Sequence, residues 1–470
     1  MERSQIASLN EKLVGKKVKI QGWIDTVRSH GKVIFFDIRD ISGIVQTVIF
    51  GKHKDMENAS KLSKESSIEI IGKVGLRPKG TENQNIPTGK IEIQIEDLNI
   101  FNICPPLPFE LDANDVHEDV RLKYRFLDLR RKSMQNNLLT RSKLFKLIRD
   151  YMHSREFNEF ETPALVKYTP GGARNFLVPS RLYPGKFWAL PESPQLFKQL
   201  LMVAGFEKYY QIARCLRDED LRKDRQPEFT QLDVEMSFIT QEDIIELIEG
   251  LLKKIWKELL NIDIKIPFPR MTYAESMKKY GNDHPDIRKN KNDPSEFAFM
   301  WVVDFPLFQY SKENKTYVSS HHPFTNPNMD DFKKDPHTAR SLAYDIVLNG
   351  VEIGGGSIRI HDREVQQKVF EILKISKEDQ EGRFKFLLDA LKYGSPPHGG
   401  IALGLDRLMQ LILNTESIRE VIAFPKNSEG KEVMLDAPSE ITEKQLSELH
   451  IKVAEKSKKE VKSKKAKNSK

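Results

Sequence analysis

Cysteine is nearly missing. Two residues in 470, Cys104 and Cys215, argue against a disulfide framework and against a cysteine-built zinc site, and make a reducing, cytoplasmic setting the expectation. No apolar run is long enough to span a bilayer, and the first dozen residues lack the layout of a signal peptide, so no membrane partner is expected. Neither GxxxxGK[ST] nor GxGxxG occurs, which leaves the two common nucleotide-binding α/β folds without support. No internal repeat stands out. Excess charge is also scarce, except in one place. The formal net charge of +7 is matched by residues 456–470 alone, with eight lysines and one glutamate, so residues 1–455 are near neutral. That run (454–470 with its approach) reads as a solvated, disordered Lys-rich tail; the alternative is non-specific contact with nucleic-acid phosphates.

What is present is ordinary globular composition, 39% hydrophobic and 30% charged, in a chain long enough for two or three domains. Short β-rich runs at 17–24, 33–38, 44–50, 68–74 and 91–100, with one helical stretch at 54–62, predict an OB-type Greek-key barrel over residues 1–104. Such barrels bind single-stranded nucleic acid on a strand face. The stretch Cys104-Pro105-Pro106-Leu107-Pro108 stiffens the exit and opens a linker over 105–130. In 131–453, helical spacing falls at 138–153, 244–260 and 403–413, and strand-like runs at 209–216, 232–238, 344–348 and 351–360. Hairpin-like returns predict an antiparallel sheet flanked by helices, an α+β domain.

Three segments carry chemistry. Residues 217–231 pack dense charge between two strands, and Arg217 at the strand end suits a phosphate or carboxylate; a surface hairpin laced with ion pairs is the alternative. Glu352 precedes Gly354-Gly355-Gly356-Ser357 and Arg359, a glycine strip that allows backbone to approach a ligand, or else a β-bulge. Asp345 and Glu352 flank that hairpin and suit one hard cation. Gly404-Leu405-Asp406-Arg407 opens a helix after the Pro/Gly-rich approach 396–400. A helix N-terminus favours anions, so Arg407 there opposes the dipole unless it serves a ligand. His321 and His322 are adjacent on a loop, a spacing that is not a metal pair.

At this point the sequence resembles a known family. FNEFETP at 157–163, the segment 209–238, and GIALGLDRL at 400–408 resemble, in order, the three motifs of class II aminoacyl-tRNA synthetases. The strings LKYRFLDLR from Leu122, PSR from Pro179, SPQLFKQLLM from Ser193, RQPEFTQLD from Arg225, HHPFT from His321, GGGSIRI from Gly354 and LDALKYG from Leu388 resemble bacterial-type aspartyl-tRNA synthetases. The resemblance implies ATP-dependent activation of L-aspartate and its transfer to tRNA(Asp), with Mg2+ held by Asp345 and Glu352, in a homodimer built on the first motif. It further implies that Ser193, Gln195, Lys198 and Asp233 line the aspartate pocket. Arg359 clamps the side-chain carboxylate, and His321 and His322 lie on a closing loop. Arg217 meets the reacting carboxylate and α-phosphate, Arg407 the terminal phosphate, and Glu352 the metal-bound phosphates. Asp218, Glu219, Gln226, Phe229, Gly404, Leu405 and Asp406 complete the ATP site. In the barrel, Phe35 stacks on an anticodon base beside Arg28, Gln46, Arg77 and Glu92. His30 resembles the residue found in members that also charge tRNA(Asn).

The sequence departs from the family twice. Gly171 stands where many bacterial relatives have a glutamate that contacts the substrate ammonium. The domain that bacterial relatives insert between the second and third motifs is absent, near 288–297. Two competing readings remain: an asparaginyl or lysyl ligase of the same architecture, and a synthetase-like RNA-binding protein without catalysis.

Overall fold

Period-two alternation of β-branched residues closes the first hundred residues into a barrel. The computed structural model describes residues 1–168, 174–312 and 315–454, and the chain divides into two units, Met1–Asn114 and Asp115–Lys470. In the first, β1 (Lys17–His30), β2 (Val33–Arg39), β3 (Ile44–Phe50), β4 (Ser67–Leu76) and β5 (Ile91–Asn102) close in the order β1-β2-β3-β5-β4. Only the β3–β5 contact is parallel. Ile34, Phe36 and Ile38 of β2 meet Ile20, Ile68, Ile70 and Ile93 inside, while Val33, Phe35 and Asp37 point outward. A bulge between Ile24 and Thr26 lets β1 run on to His30, past its expected end. The helical stretch expected at 54–62 is a single turn, Met56–Ala59.

The segment expected as a linker, 105–130, is divided. Residues up to Asn114 go with the barrel unit; the rest belong to the second unit and include two short helices, Glu118–Lys123 and Arg125–Asp128. Buried charge fixes them: Arg125 is 2% exposed, pairs with Asp128, and donates to the carbonyls of Arg419 and Ile422 at 2.9 and 2.8 Å.

The second unit is built on one eight-stranded sheet: β6 (Asn158–Glu159), β7 (Lys208–Leu216), β8 (Glu228–Ser237), β9 (Arg270–Thr272), β10 (Phe299–Val303), β11 (Ala343–Leu348), β12 (Val351–Ile358) and β13 (His398–Gly404). They lie in the order β9-β10-β11-β12-β13-β8-β7-β6. The expected antiparallel sheet is mixed at its margins, because the short edge strands β6 and β9 pair in parallel with β7 and β10. One face is apolar. Leu232 and Val234 of β8, Ile346 of β11 and Leu403 of β13 pack under α1 (Lys132–Ser154) and α3 (Gln241–Leu260). Helix α4 (Leu405–Ile412) joins the same core through Leu405, Leu408, Met409 and Ile412, and the other face, with α2 (Gln195–Val203) along it, is polar. Helix α3 is delimited by a Thr240–Asp243 capping box and by Asn261 in the left-handed region.

Two expectations about the sheet change. The Pro/Gly-rich approach to α4 is largely strand β13, bonded on both sides to β8 and β12, and α4 begins only at Leu405. The glycine strip faces protein as well as the cleft. A Cβ on Gly354 or Gly356 would collide with β13, one on Gly355 with the Asp345 carboxylate, and one on Gly400 with the Val234 carbonyl and the Glu235 carboxylate. A register shift between Ile346 and Val347 adds the bulge. The glycines let four strands close over buried acids. Among the described residues no helix is long and apolar enough to cross a membrane.

The sheet–helix core contains one carboxylate whose loss is diagnostic. Glu249 of α3, 4% exposed, accepts the Trp301 indole N–H at 3.0 Å and the Phe268 amide at 2.9 Å. Glu249→Leu strands both donors and is expected to cost about 2–4 kcal/mol, whereas Glu249→Gln keeps the acceptor and stays within about 1 kcal/mol. Urea unfolding of the two variants checks the difference.

Candidate functional site

Along β8 the apolar residues Leu232 and Val234 face the helices, so Gln231, Asp233 and Glu235 face the other way. Onto that polar face come Lys198 from α2 and Arg359 from just beyond β12. Lys198 Nζ lies 2.8 Å from Asp233 Oδ1 and 3.2 Å from Glu235 Oε2. Arg359 Nε and Nη2 donate to Glu235 at 3.0 and 3.3 Å, and Nη1 to Ser357 Oγ at 2.7 Å. All four charged side chains are at most 5% exposed. Two cations meet two carboxylates, so the cluster is neutral. Burial works against the Glu235 carboxylate, but Arg359 and Lys198 outweigh it and hold its pKa below the usual range. Burial pushes Asp233 upward, with Lys198 pulling it back. Behind the cluster, His398 shares a hydrogen bond with Gln199 at 3.3 Å and one with the Pro396 carbonyl at 2.8 Å.

Of these residues, Lys198, Asp233, Ser357 and Arg359 line one end of a cleft of about 590 Å³. At the other end, the Arg217 guanidinium lies 5.0 Å over the Phe229 ring. Arg407 donates to the Glu352 carbonyl at 3.0 Å and to Asp224 at 3.3 Å, and Arg225 approaches Glu219 at 3.6 Å. Between the ends, Asp345 and Glu352 face each other across neighbouring strands. Burial first, then Glu352 and Asp283, push the Asp345 carboxyl well above its usual range. Crowded acids without a cation make a hard-oxygen donor set. No group of three or more His, Cys, Asp or Glu is arranged to hold a metal among the described residues.

Of the residues expected in the site, Ser193, Gln195, Lys198, Arg217, Glu219, Gln226, Phe229, Asp233, His321, His322, Asp345, Glu352, Arg359, Gly404, Asp406 and Arg407 all line this cleft. Two do not. Asp218 is exposed, with its amide on the Arg174 carbonyl, and Leu405 is fully buried in the apolar core. Gln226 lines the cleft, but both ends of its amide are engaged by the Lys426 backbone at 3.0 and 2.8 Å, so it fastens a loop. Gly171 and the tail 456–470 lie outside the described residues. Sequence reasoning missed Glu235, Ser357, Thr325 and Asp283. For the first two a signal existed: Glu235 stands two residues from Asp233 on one strand, hence on the same face, and Ser357 two residues from Arg359 in extended chain.

On the barrel, cross-strand register assembles the expected outward residues. Arg28 opposes Phe35, Asp37 opposes Gln46, and Gln46 opposes Glu92. Arg28 forks onto Asp37 at 2.7 and 2.9 Å and reaches Gln46 at 3.1 Å, and Gln46 donates to Glu92 at 2.8 Å. Arg77 bonds the Ile91 carbonyl through Nε, while its buried Nη2 has no partner among the described residues. Phe35 is half-buried, 6.2 Å from the exposed His30 ring; its neighbour Phe36 is the core residue.

Residues 117–428 match the family model of class II tRNA synthetases (D, K and N), and residues 18–101 that of the OB-fold nucleic acid binding domain. Among curated proteins the chain is 42% identical to the aspartate–tRNA(Asp/Asn) ligase of Caldanaerobacter subterraneus subsp. tengcongensis, with 95% of this chain and 97% of the relative aligned. It is 41% identical to the Hydrogenobaculum aspartate–tRNA(Asp/Asn) ligase over 95% and 99%. The first alignment runs over 576 positions against 470 residues, so more than a hundred positions of that relative face gaps in this chain. Among solved structures, the asparaginyl-tRNA synthetase of Pyrococcus horikoshii complexed with asparaginyl-adenylate superposes with a TM-score of 0.74 at 26% identity, over 90% of this chain and 98% of that one. An aspartyl tRNA synthetase from Entamoeba histolytica shares the fold at a TM-score of 0.71 and 23% identity, over 90% and 91%.

The histidine pair gives the cleft a pH dependence. His321 is open to solvent at the mouth, edge-on to Phe305 at 4.5 Å; crowding, then Arg359, lowers its pKa against the pull of Asp283, and solvent screens the effect. His322 is half-buried, and its Nδ1 accepts the Phe324 amide at 3.3 Å, which requires an unprotonated nitrogen there. Burial, then Arg359 and Lys198, push it down to about 3. An unfolded histidine titrates near 6.5, so between those values the unfolded chain binds the extra proton. The stability His322 contributes is therefore complete above pH 6.5 and drains as pH falls toward 3. From pH 7 to 5 the parent is expected to lose about 2 kcal/mol relative to His322→Asn. Denaturant titrations at both pH values measure this, and parallel losses refute it.

Proposed function

This chain belongs to the class II tRNA synthetases of the D, K and N group, and we infer that within it the chain is an aspartate–tRNA ligase, activating L-aspartate with ATP and transferring it to tRNA. The observation that carries this reading is the buried Lys198–Asp233–Glu235–Arg359 cluster at one end of a cleft whose other end holds Phe229, Arg217 and Arg407. A side-chain carboxylate entering beside Arg359 and Lys198 exchanges water for two charge-assisted bonds. A neutral amide gains only uncharged hydrogen bonds there, each weaker by about 1 kcal/mol, since Arg359 and Lys198 already have Glu235 and Asp233 as partners. This favours aspartate over asparagine and lysine.

Activation is an in-line displacement. The α-carboxylate of aspartate attacks the α-phosphorus, forming aspartyl-adenylate and expelling pyrophosphate; the terminal ribose hydroxyl of tRNA then takes the aspartyl group and AMP leaves. No protein nucleophile is required, only positioning and charge neutralisation. Phe229 provides the face for adenine. Arg217, stacked on it, neutralises the α-phosphate and the reacting carboxylate, and Arg407 holds the terminal phosphate. Asp345 and Glu352 fit Mg2+, as two hard-oxygen donors pressed together without a cation. When bound, Mg2+ offsets phosphate charge. Gly171 supplies no carboxylate for the substrate ammonium, so another group in the cleft takes that contact.

The barrel reads the anticodon through Arg28, Gln46, Arg77, Glu92 and Phe35. With His30 beside them, the enzyme charges tRNA(Asp) and tRNA(Asn) alike: a small ring that donates or accepts tolerates either base where a bulky apolar group excludes one. The gaps opposite its curated relative support loss of the inserted domain near 288–297, where Arg288 folds back onto Asp286 at 2.8 Å. FNEFETP supports a homodimer, and the scarcity of cysteine a cytoplasmic enzyme.

Two measurements test this reading. Aspartate-dependent ATP–pyrophosphate exchange should be absent in folded Arg359→Ala, and the parent should exchange with aspartate but not with asparagine or lysine. Near-normal exchange in the variant defeats the assignment. Aspartylation of purified tRNA(Asn) should proceed within about tenfold of tRNA(Asp); a preference beyond about a hundredfold, 2.7 kcal/mol, means the enzyme discriminates.

A further inference from the structure

We propose that Arg141, on α1 and outside the cleft, is a positioning residue for ATP that acts through Asp406. The inference rests on the reading above, in which Phe229 and Arg407 hold the nucleotide. Asp406 is 3% exposed and stands immediately before Arg407 in the first turn of α4. Its two oxygens are divided between two elements: Oδ2 accepts the backbone N–H of Thr230 at 2.7 Å, and Oδ1 accepts Arg141 Nη1 at 2.6 Å. Thr230 is the residue after Phe229 on β8. One carboxylate therefore ties the phosphate-facing arginine to the adenine-facing ring.

Arg141 fixes that carboxylate. Its Nη1 also reaches the Val421 carbonyl at 3.2 Å, its Nη2 reaches Thr230 Oγ1 at 3.1 Å, and its guanidinium lies 4.9 Å over the Phe145 ring of its own helix. Arg214 also donates to Thr230 Oγ1, at 3.3 Å, so removing Arg141 does not strand the threonine hydroxyl. It strands Asp406, which is buried and charged and must then turn or take up a proton. Either response weakens the bond from Thr230 to Oδ2, and with it the alignment of Phe229 and Arg407. On its outer side Arg141 borders a second cavity, of about 570 Å³, with Phe424 and Leu435 on its wall, so water fills the space a truncated side chain leaves. The aspartate end is insulated from this event, because Asp233 and Glu235 are held by Lys198 and Arg359.

Arg141→Met keeps an apolar stem of similar length and removes the guanidinium with its charge and donors. In pyrophosphate exchange its KM for ATP should rise about tenfold, equivalent to 1.4 kcal/mol, with the KM for aspartate within about twofold. Arg141→Lys, which restores one bond to Asp406, should recover much of the loss. A merely structural residue would lower the active fraction, and so kcat alone, in step with the melting temperature. A fall confined to kcat, or equal rises in both KM values, overturns the proposal. Arg407→Ala run in parallel separates the two levels. If it leaves the KM for ATP unchanged, the reading of the nucleotide end fails and the strut with it. If it raises that KM while Arg141→Met does not, the strut alone fails.

Discussion

The second unit is arranged around the cost of keeping four charges out of water. Lys198, Arg359, Asp233 and Glu235 are nearly inaccessible, and such charges persist only when each has partners at bonding distance. That requirement reaches into the backbone. Gly400 is bare because Glu235 occupies the space its side chain would need, and Gly355 is bare because Asp345 does. Ser357 serves as a hydrogen-bond shelf for Arg359 and leans in turn on Thr325 at 3.4 Å. The sheet order β11-β12-β13-β8 is what brings the donors of one strand to the acceptors of another.

The two ends of the cleft solve different problems. The end at Lys198 and Arg359 is closed in and neutral, its charges paired with one another. The nucleotide end is more open, built from arginines that lean on a ring, a backbone carbonyl and single carboxylates. Arginine suits that work because it stays charged and can trade one oxygen partner for another without losing its geometry.

How much of this was legible in the sequence depended on distance along the chain. Alternation separates Phe36 from Phe35, and Leu232 from Asp233, within a few residues, so barrel and sheet faces can be read directly. The same rule applied once more finds Glu235 and Ser357. The glycine strip resisted, because its reason lies on β13, far downstream, and no local pattern reveals which strand will lie alongside. Arg125 and Arg141 resisted for the same cause, since their partners are 294 and 265 residues away. The eight-residue α4 was read too long because Leu403 and Gly404 are apolar or small in either conformation, and only pairing with β8 and β12 makes them strand. The linker was misjudged because its second half is anchored by carbonyl groups, which carry no sequence signature.

The outward row on the barrel has a consequence for how it works. Arg28, Asp37, Gln46 and Glu92 already satisfy one another. A nucleobase that docks there replaces existing bonds one for one, so a correct edge adds little net affinity, whereas an incorrect edge breaks the chain of donors and acceptors and restores nothing. The barrel therefore behaves as a gauge more than as glue. On the anticodon role proposed above, it sets how fast a wrong strand leaves, and sugar–phosphate contacts supply the strength of holding.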